Sequence, residues 1–413
     1  MKLNIPQFLS DYEKMTAIGK TEAGGCERLS MSDEDIAARK TLIQMLESEG
    51  MSPVNDEIAV IWGRIEGSDP DAAPVLVGSH IDTVRNGGKY DGLLGVMAGF
   101  QAMRQIKEQN IAHRRPIELI MFPNEESARF NYPTVGSKLI AGKIDPDKLK
   151  EMKDKDGVSF FDALKMRGFS PENCENSRAR LKKAYSMVEL HIEQGPVLES
   201  KGISVGVVSA IAAPTRLSVK ITGEYAHSGA CPMELRRDAL AASAEFITAV
   251  EKAGNSHSRD KTVAAATLCS LENPSMNVVP GCVNLAVDIR GIKMESIESC
   301  VAEVKAQLAA ICERRGVKGE IGVISSEKPV AMSDRMIAAI SEVCDKNGIA
   351  YEVMPSGAGH DAMNVAEVLP TGMIFLPCKG GISHNPAEEI EMSDFEAAFD
   401  VLSELLIEEA NRD

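Results

Sequence analysis

Pro74-Val75-Leu76-Val77-Gly78-Ser79-His80-Ile81-Asp82-Thr83-Val84, followed by Gly87-Gly88 and Tyr90-Asp91-Gly92, is the stretch on which the reading of this chain turns. The apolar run 74–77 reads as a buried strand that ends in a polar, glycine-marked turn. His80 and Asp91 are both ligands for a divalent metal, and Gly87-Gly88 between them predicts a tight fold-back of the chain. Asp82 stands two residues after His80 and, in an extended segment, points to the same side. Its carboxylate is therefore expected to accept a hydrogen bond from the second ring nitrogen of His80.

Strand-then-ligand recurs along the chain. A strand over 117–122 ends in Pro123-Asn124-Glu125-Glu126, and a strand over 186–190 runs into His191-Ile192-Glu193-Gln194-Gly195. A strand over 372–376 precedes Ile382-Ser383-His384-Asn385-Pro386. Helices are expected over 93–108, 333–347 and 394–408. Strands alternating with helices predict an α/β core with its ligands at the carboxyl ends of strands.

Between these pieces the pattern changes. From Pro214 onward, strands near 217–221, 262–269, 284–289 and 320–323 alternate with helices near 237–252 and 296–314. That order is β-α-β-β-α-β, the split arrangement of a ferredoxin-like unit. Residues 212–330 therefore read as an inserted second domain, and residues 1–211 and 331–413 as one split domain. A chain of 413 residues fits two domains better than one.

The bulk numbers exclude several classes. A net charge of −16 argues against nucleic acid and against an anionic membrane surface, both of which need a basic face. No apolar run reaches membrane-spanning length, and residues 1–6 lack a signal-peptide pattern. The nine cysteines form no Cys-x-x-Cys pair, which suggests free thiols in a reducing cytoplasm.

Of seven histidines, His80, His191 and His384 each stand where a strand gives way to a turn. With Asp91 and Glu126 they make five nitrogen and oxygen donors and no sulfur. Such a set points to zinc or manganese, with cobalt or nickel as alternatives. Five donors are too many for one open catalytic site and suit two ions about 3.5–4 Å apart sharing a carboxylate. Of the adjacent Glu125 and Glu126, one can bind metal while the other acts as general base. An acidic turn in an acidic chain is the plainer alternative. His227 lies in the inserted domain, where it could donate a hydrogen bond to a developing oxyanion. Asn277 and Arg290 of the same domain would suit a substrate carboxylate, and a structural role is the plainer alternative for each of the three. His113 and His257 read as surface residues, and His360-Asp361 as either a helix start or a site-lining pair.

The motifs together resemble the N-carbamoyl-L-amino acid hydrolase and allantoate amidohydrolase family, part of the dinuclear-metal aminoacylase and carboxypeptidase superfamily. The stretch from Gly78 to Gly92 resembles the first motif, and Asn124-Glu125-Glu126-Ser127-Ala128-Arg129-Phe130 the second. Glu189 to Glu199 is similar to the third, and Ala226-His227-Ser228-Gly229 with Arg236-Arg237-Asp238 to the fourth. Ser356-Gly357-Ala358-Gly359-His360-Asp361 and Gly381-Ile382-Ser383-His384-Asn385-Pro386-Ala387-Glu388 complete the set in family order. The resemblance implies a mixed-sheet α/β metallohydrolase domain with an inserted α+β ferredoxin-like dimerisation or lid domain.

It further implies two divalent ions, one on His80, Asp91 and His191, the other on Asp91, Glu126 and His384, with Asp91 bridging. Glu125 would be the general base, with Asp82 supporting. Gln194, His227, Asn277, Arg290, Gly357 and Ala358 would contact the substrate. The implied reaction is cleavage of a ureido C–N bond in an N-carbamoyl-L-amino acid by a cytoplasmic homodimer joined through the inserted domain, in which His227, Asn277 and Arg290 could serve the partner subunit's site. Allantoate, ureidoglycolate and 3-ureidopropionate are alternative substrates. An N-acyl amino acid deacylase, a dipeptidase, or a binding protein that kept the fold without the reaction are further alternatives. Ser127, and Ser228-Gly229-Ala230-Cys231, depart from the usual family residues and bear on substrate choice more than on the reaction.

Overall fold

The computed structural model describes all 413 residues, which divide into two compact units, residues 1–209 with 331–413 and residues 210–330. In chain order the strands are β1 (Val54–Asn55), β2 (Ile61–Ile65), β3 (Val75–His80), β4 (Ile117–Phe122), β5 (Ser186–Ile192) and β6 (Val205–Ile211). They continue as β7 (Ala213–Thr222), β8 (Ala226–His227), β9 (Val263–Leu271), β10 (Val278–Val279), β11 (Cys282–Gly291) and β12 (Lys318–Ser326). The chain closes with β13 (Val330–Ala331), β14 (Tyr351–Ser356) and β15 (Thr371–Leu376).

The larger unit is built on a mixed sheet ordered β1-β2-β4-β3-β5-β15-β6-β13, with β14 beside β6. Its centre is parallel: β3 pairs with β4 and β5, and β5 with β15. Every residue of β3, β4, β5 and β15 is buried, as expected of parallel strands covered on both faces. The antiparallel β2 and β6 flank that centre. Helix Leu93–Glu108 follows β3 and is buried at every position from Leu93 to Ile106. A helix apolar nearly all round belongs inside a domain.

The smaller unit is an antiparallel sheet ordered β12-β7-β11-β9. Read as first to fourth long strand, that is the order 4-1-3-2 of a ferredoxin-like unit, with helices Ala239–His257 and Met294–Arg315 as its two crossovers. Alternation along β7 and β11 turns Leu217, Val219, Ile221, Val283, Leu285, Val287 and Ile289 into a core with Phe246 and Val304.

Three differences from the sequence reading have simple causes. Residues 58–65 read from their apolar character as one strand, but the strand starts only at Ile61, because Asp56 accepts hydrogen bonds from the amides of Ile58 and Val60 and closes a turn. β5 extends to Ile192, so His191 lies inside the strand and shares a face with Glu189 and Glu193. β6 and β14 were not anticipated; they pair with each other toward one edge of the sheet, and neither segment alternates apolar and polar residues cleanly.

Candidate metal centre

The chain ends of the central strands carry the polar side chains. β3 ends on His80, β4 leads into Glu125-Glu126, β5 carries His191, and β15 leads to Ser383-His384. The turns after β4, β5 and β15 each contain a non-glycine residue in the left-handed region: Asn124 (φ 54°), Gln194 (φ 58°) and His384 (φ 56°). Such backbone is held only where surrounding contacts fix it, and it clusters at functional sites.

His80 and His191 are both buried and both spend Nδ1 on a main-chain carbonyl: Nδ1 of His80 lies 3.0 Å from the Asp82 carbonyl, and that of His191 2.9 Å from the Ile192 carbonyl. Each therefore presents Nε2 inward. Those two nitrogens lie 3.4 and 3.3 Å from Asp91 Oδ1. The other oxygen, Asp91 Oδ2, lies 3.2 Å from His384 Nε2, which is in turn 3.2 Å from Glu126 Oε1. The five residues expected as ligands thus come together as two groups, His80-Asp91-His191 and Asp91-Glu126-His384. Within each, the donor atoms lie within 4.8 Å of one another.

Both groups fit a divalent cation. Their donors are imidazole nitrogen and carboxylate oxygen, and the buried Glu126 Oε1 faces His384 Nε2, a member of the same group, at 3.2 Å. A third group, Glu189-His191-His360, is already satisfied. Glu189 accepts Ser79 Oγ at 2.6 Å and the Ala362 amide at 2.9 Å, and His360 Nε2 meets Ser356 Oγ at 2.9 Å.

Asp82 differs from expectation. It is the carbonyl of Asp82, not its carboxylate, that meets His80 Nδ1; the carboxylate lies 4.0 Å away. The carboxylate instead accepts the amides of Glu125 and Glu126, each at 3.1 Å. Gly87-Gly88 also serves differently. A Cβ on Gly88 would fall 2.1 Å from the Glu388 carboxyl group, so glycine here makes room for a side chain rather than for a turn.

Charge is concentrated and buried. Burial pushes the Glu125 carboxyl well up, and the charges of Glu126, Asp361 and Asp82 add to it against the opposing effect of His80. Burial also raises Asp82 to about 7. For Asp91 burial is outweighed by the imidazoles of His191, His384 and His80 packed around the carboxylate, which hold it well below the usual carboxylate range. Glu125 Oε2 lies 3.8 Å from His80 Nε2, beside the ligand groups.

Gln194 joins the same cluster, donating from Nε2 to Asp91 Oδ2 at 2.6 Å. Gly357 and Ala358 follow β14; the Ala358 amide donates to Ser356 Oγ at 3.1 Å, and Ser356 in turn meets His360. His360 is buried against His191, and Asp361 accepts a hydrogen bond from Ser137, so this pair is part of the site's wall. His227, Asn277 and Arg290 belong to the smaller unit. His227 is fixed by the amides of Gly229 and Ala230 on its Nδ1, each at 3.1 Å, which leaves Nε2 to carry the proton. The Asn277 carbonyl accepts the Ser228 amide at 2.9 Å, and Arg290 pairs with Asp288 at 3.0 Å. Sequence reasoning missed Ser383, Glu388 and Glu189 as site residues. Only Glu189 had a usable signal, its two-residue spacing from His191.

Residues 76–408 match Peptidase family M20/M25/M40. The chain is 35% identical over 397 residues to the N-carbamoyl-L-amino-acid amidohydrolase of a Pseudomonas species, covering 96% of each chain. It is 36% identical over 393 residues to the allantoate amidohydrolase of Escherichia coli, covering 95% of each. Its fold superposes with a TM-score of 0.93 on the crystal structure of a hydantoinase/carbamoylase family amidase from Burkholderia multivorans, at 31% identity over 100% of this chain and 99% of that one.

Proposed function

The chain belongs to Peptidase family M20/M25/M40 and is a metal-dependent amidohydrolase of the carbamoylase and allantoate amidohydrolase kind; from that premise we propose that it hydrolyses the ureido C–N bond of an N-carbamoyl-L-amino acid. One water is consumed, and the products are the free amino acid, carbon dioxide and ammonia. The observation that carries the reading is the split of Asp91, one oxygen toward His80 and His191, the other toward His384.

In this reading His80, Asp91 and His191 hold one divalent ion, and Asp91, Glu126 and His384 a second. Zinc or manganese suits the donors best. When bound, such ions act as Lewis acids and let water ionise near neutral pH. Glu125 takes the proton of the attacking water and delivers it to the leaving nitrogen. Its raised pKa is the direction that a base working near neutral pH requires. Asp82 keeps Glu125 and Glu126 in place through their amides. Gln194 and the 357–359 backbone contact substrate. Within the smaller unit, His227 offers its Nε2 proton to a developing oxyanion, and Asn277 and Arg290 offer donors to a substrate carboxylate, in this subunit's site or the partner's.

The reading includes a cytoplasmic homodimer joined through the ferredoxin-like unit. All nine cysteines are free, which supports a reducing compartment. Edge strands β9 and β12 expose Val263, Leu268, Val323 and Ile324, which supports a partner along that unit. No helix is long and apolar enough to cross a membrane.

Ammonia release from N-carbamoyl-L-amino acids, allantoate and 3-ureidopropionate tests the substrate. Release from the carbamoyl amino acids, abolished by chelator, is expected. Release from allantoate alone would transfer the assignment to the second reading, which the similarity to an allantoate amidohydrolase favours. Release from none of them, with metal supplied, would overturn both.

A further inference from the structure

We propose that Glu388 is a positioning residue for the Asp91 carboxylate, and that through it the chain sets how tightly the metal centre holds its ions; this rests on the two-ion reading above. Glu388 is 1% exposed. Its Oε1 accepts two successive amides, Tyr90 at 2.8 Å and Asp91 at 3.1 Å. Its Oε2 lies 3.0 Å from Ser383 Oγ, and the same hydroxyl lies 3.0 Å from Asp91 Oδ2. Glu388 therefore holds Asp91 directly by its backbone, and its second oxygen flanks the Ser383 hydroxyl that stands against the Asp91 carboxylate.

The grip is specific in its placement. Asp91 and Glu388 are 297 residues apart, on the two segments that the inserted unit separates. Gly88 leaves the space that the Glu388 carboxyl fills, since any Cβ there would stand 2.1 Å from it. Asp91 Oδ2 is thereby fixed toward His384, with Gln194 Nε2 as its second donor at 2.6 Å, and Oδ1 is left facing His80 and His191. A carboxylate that serves two ligand groups at once must not rotate. An outer partner that orients a metal ligand is typically worth about 10- to 100-fold in metal affinity.

The test is calorimetric titration of manganese into the metal-free full-length protein, with folding checked by circular dichroism. Glu388→Ala is expected to bind about 10- to 100-fold more weakly than wild type. Glu388→Gln keeps an oxygen for the two amides and an NH2 for Ser383 Oγ, and is expected to restore affinity to within about threefold, well inside that range. Ser383→Ala removes only the relay to Oδ2 and is expected to cost about tenfold. Wild-type affinity in Glu388→Ala or Ser383→Ala would overturn the assignment, and so would a Glu388→Gln as weak as Glu388→Ala. If Glu388→Ala does not fold, the Gln and Ser383 variants decide it. Fewer than two ions in wild type itself would overturn the two-ion reading, and this inference with it.

Discussion

Asp82 holds Glu125 by its backbone: Asp82 Oδ1 accepts the Glu125 amide at 3.1 Å, and Oδ2 accepts the next amide, that of Glu126, at the same distance. The residue that the spacing pairs with His80 thus serves as the template for the turn after β4. It couples the first motif to the second, 43 residues away, and aims two neighbouring carboxylates differently. Glu125 faces His80 and Glu126 faces His384.

If Glu125 is the base, its proton-accepting oxygen matters and its metal binding does not. Glu125→Gln is expected to retain metal and fold while kcat falls by about 10²- to 10⁴-fold. Steady-state kinetics with a metal count checks this. Unchanged kcat would remove Glu125 from the role.

Gly92 caps the helix Leu93–Glu108 at φ 63°, and a Cβ there would lie 2.3 Å from the His80 ring. Gly92→Ala adds a left-handed alanine to that collision with a buried side chain. It is expected to cost about 3 kcal/mol or more in urea unfolding and to weaken metal binding. Stability within about 1 kcal/mol of wild type would mean the turn re-forms without strain.

Asp11 gives a pH signature away from the centre. Burial alone would raise its carboxyl, but hydrogen bonds from Lys14, Arg104 and Gln7 outweigh it and lower the value from 3.8 to about 2. A depressed carboxyl stabilises the fold above its unfolded value, and the contribution is lost as pH falls from 3.8 through about 2. The side chain is 2% exposed, so a difference of about 2 kcal/mol between wild type and Asp11→Asn is expected at pH 7. Unfolding curves at a series of pH values should show that gap closing between about pH 4 and 2. A gap independent of pH would contradict it.

The parts legible in the sequence were those with local signals. The helix after Gly92 and the strand over 117–122 fall at their expected boundaries, because Asp91-Gly92 and Pro123 punctuate them. The five expected ligand positions were legible because His80, Glu126 and His191 stand at or just past the ends of apolar runs, and Asp91 and His384 in glycine- or proline-marked turns. The hydrogen bonding of Asp82 was not, since a carbonyl and a carboxylate on one residue compete for the same ring nitrogen. Glu388 was not legible as a partner of Asp91, because nothing local links residues 297 positions apart. Gly88 was read as a turn former, when its missing side chain is what admits Glu388.

The most direct test of the account is to count the ions that one chain binds after chelation and reloading with manganese, by elemental analysis of wild type and of Asp91→Ala. The account predicts two per wild-type chain and a loss at both positions in the variant, because Asp91 faces both ligand groups. Two ions retained in Asp91→Ala, or a wild type that saturates at one, would contradict it.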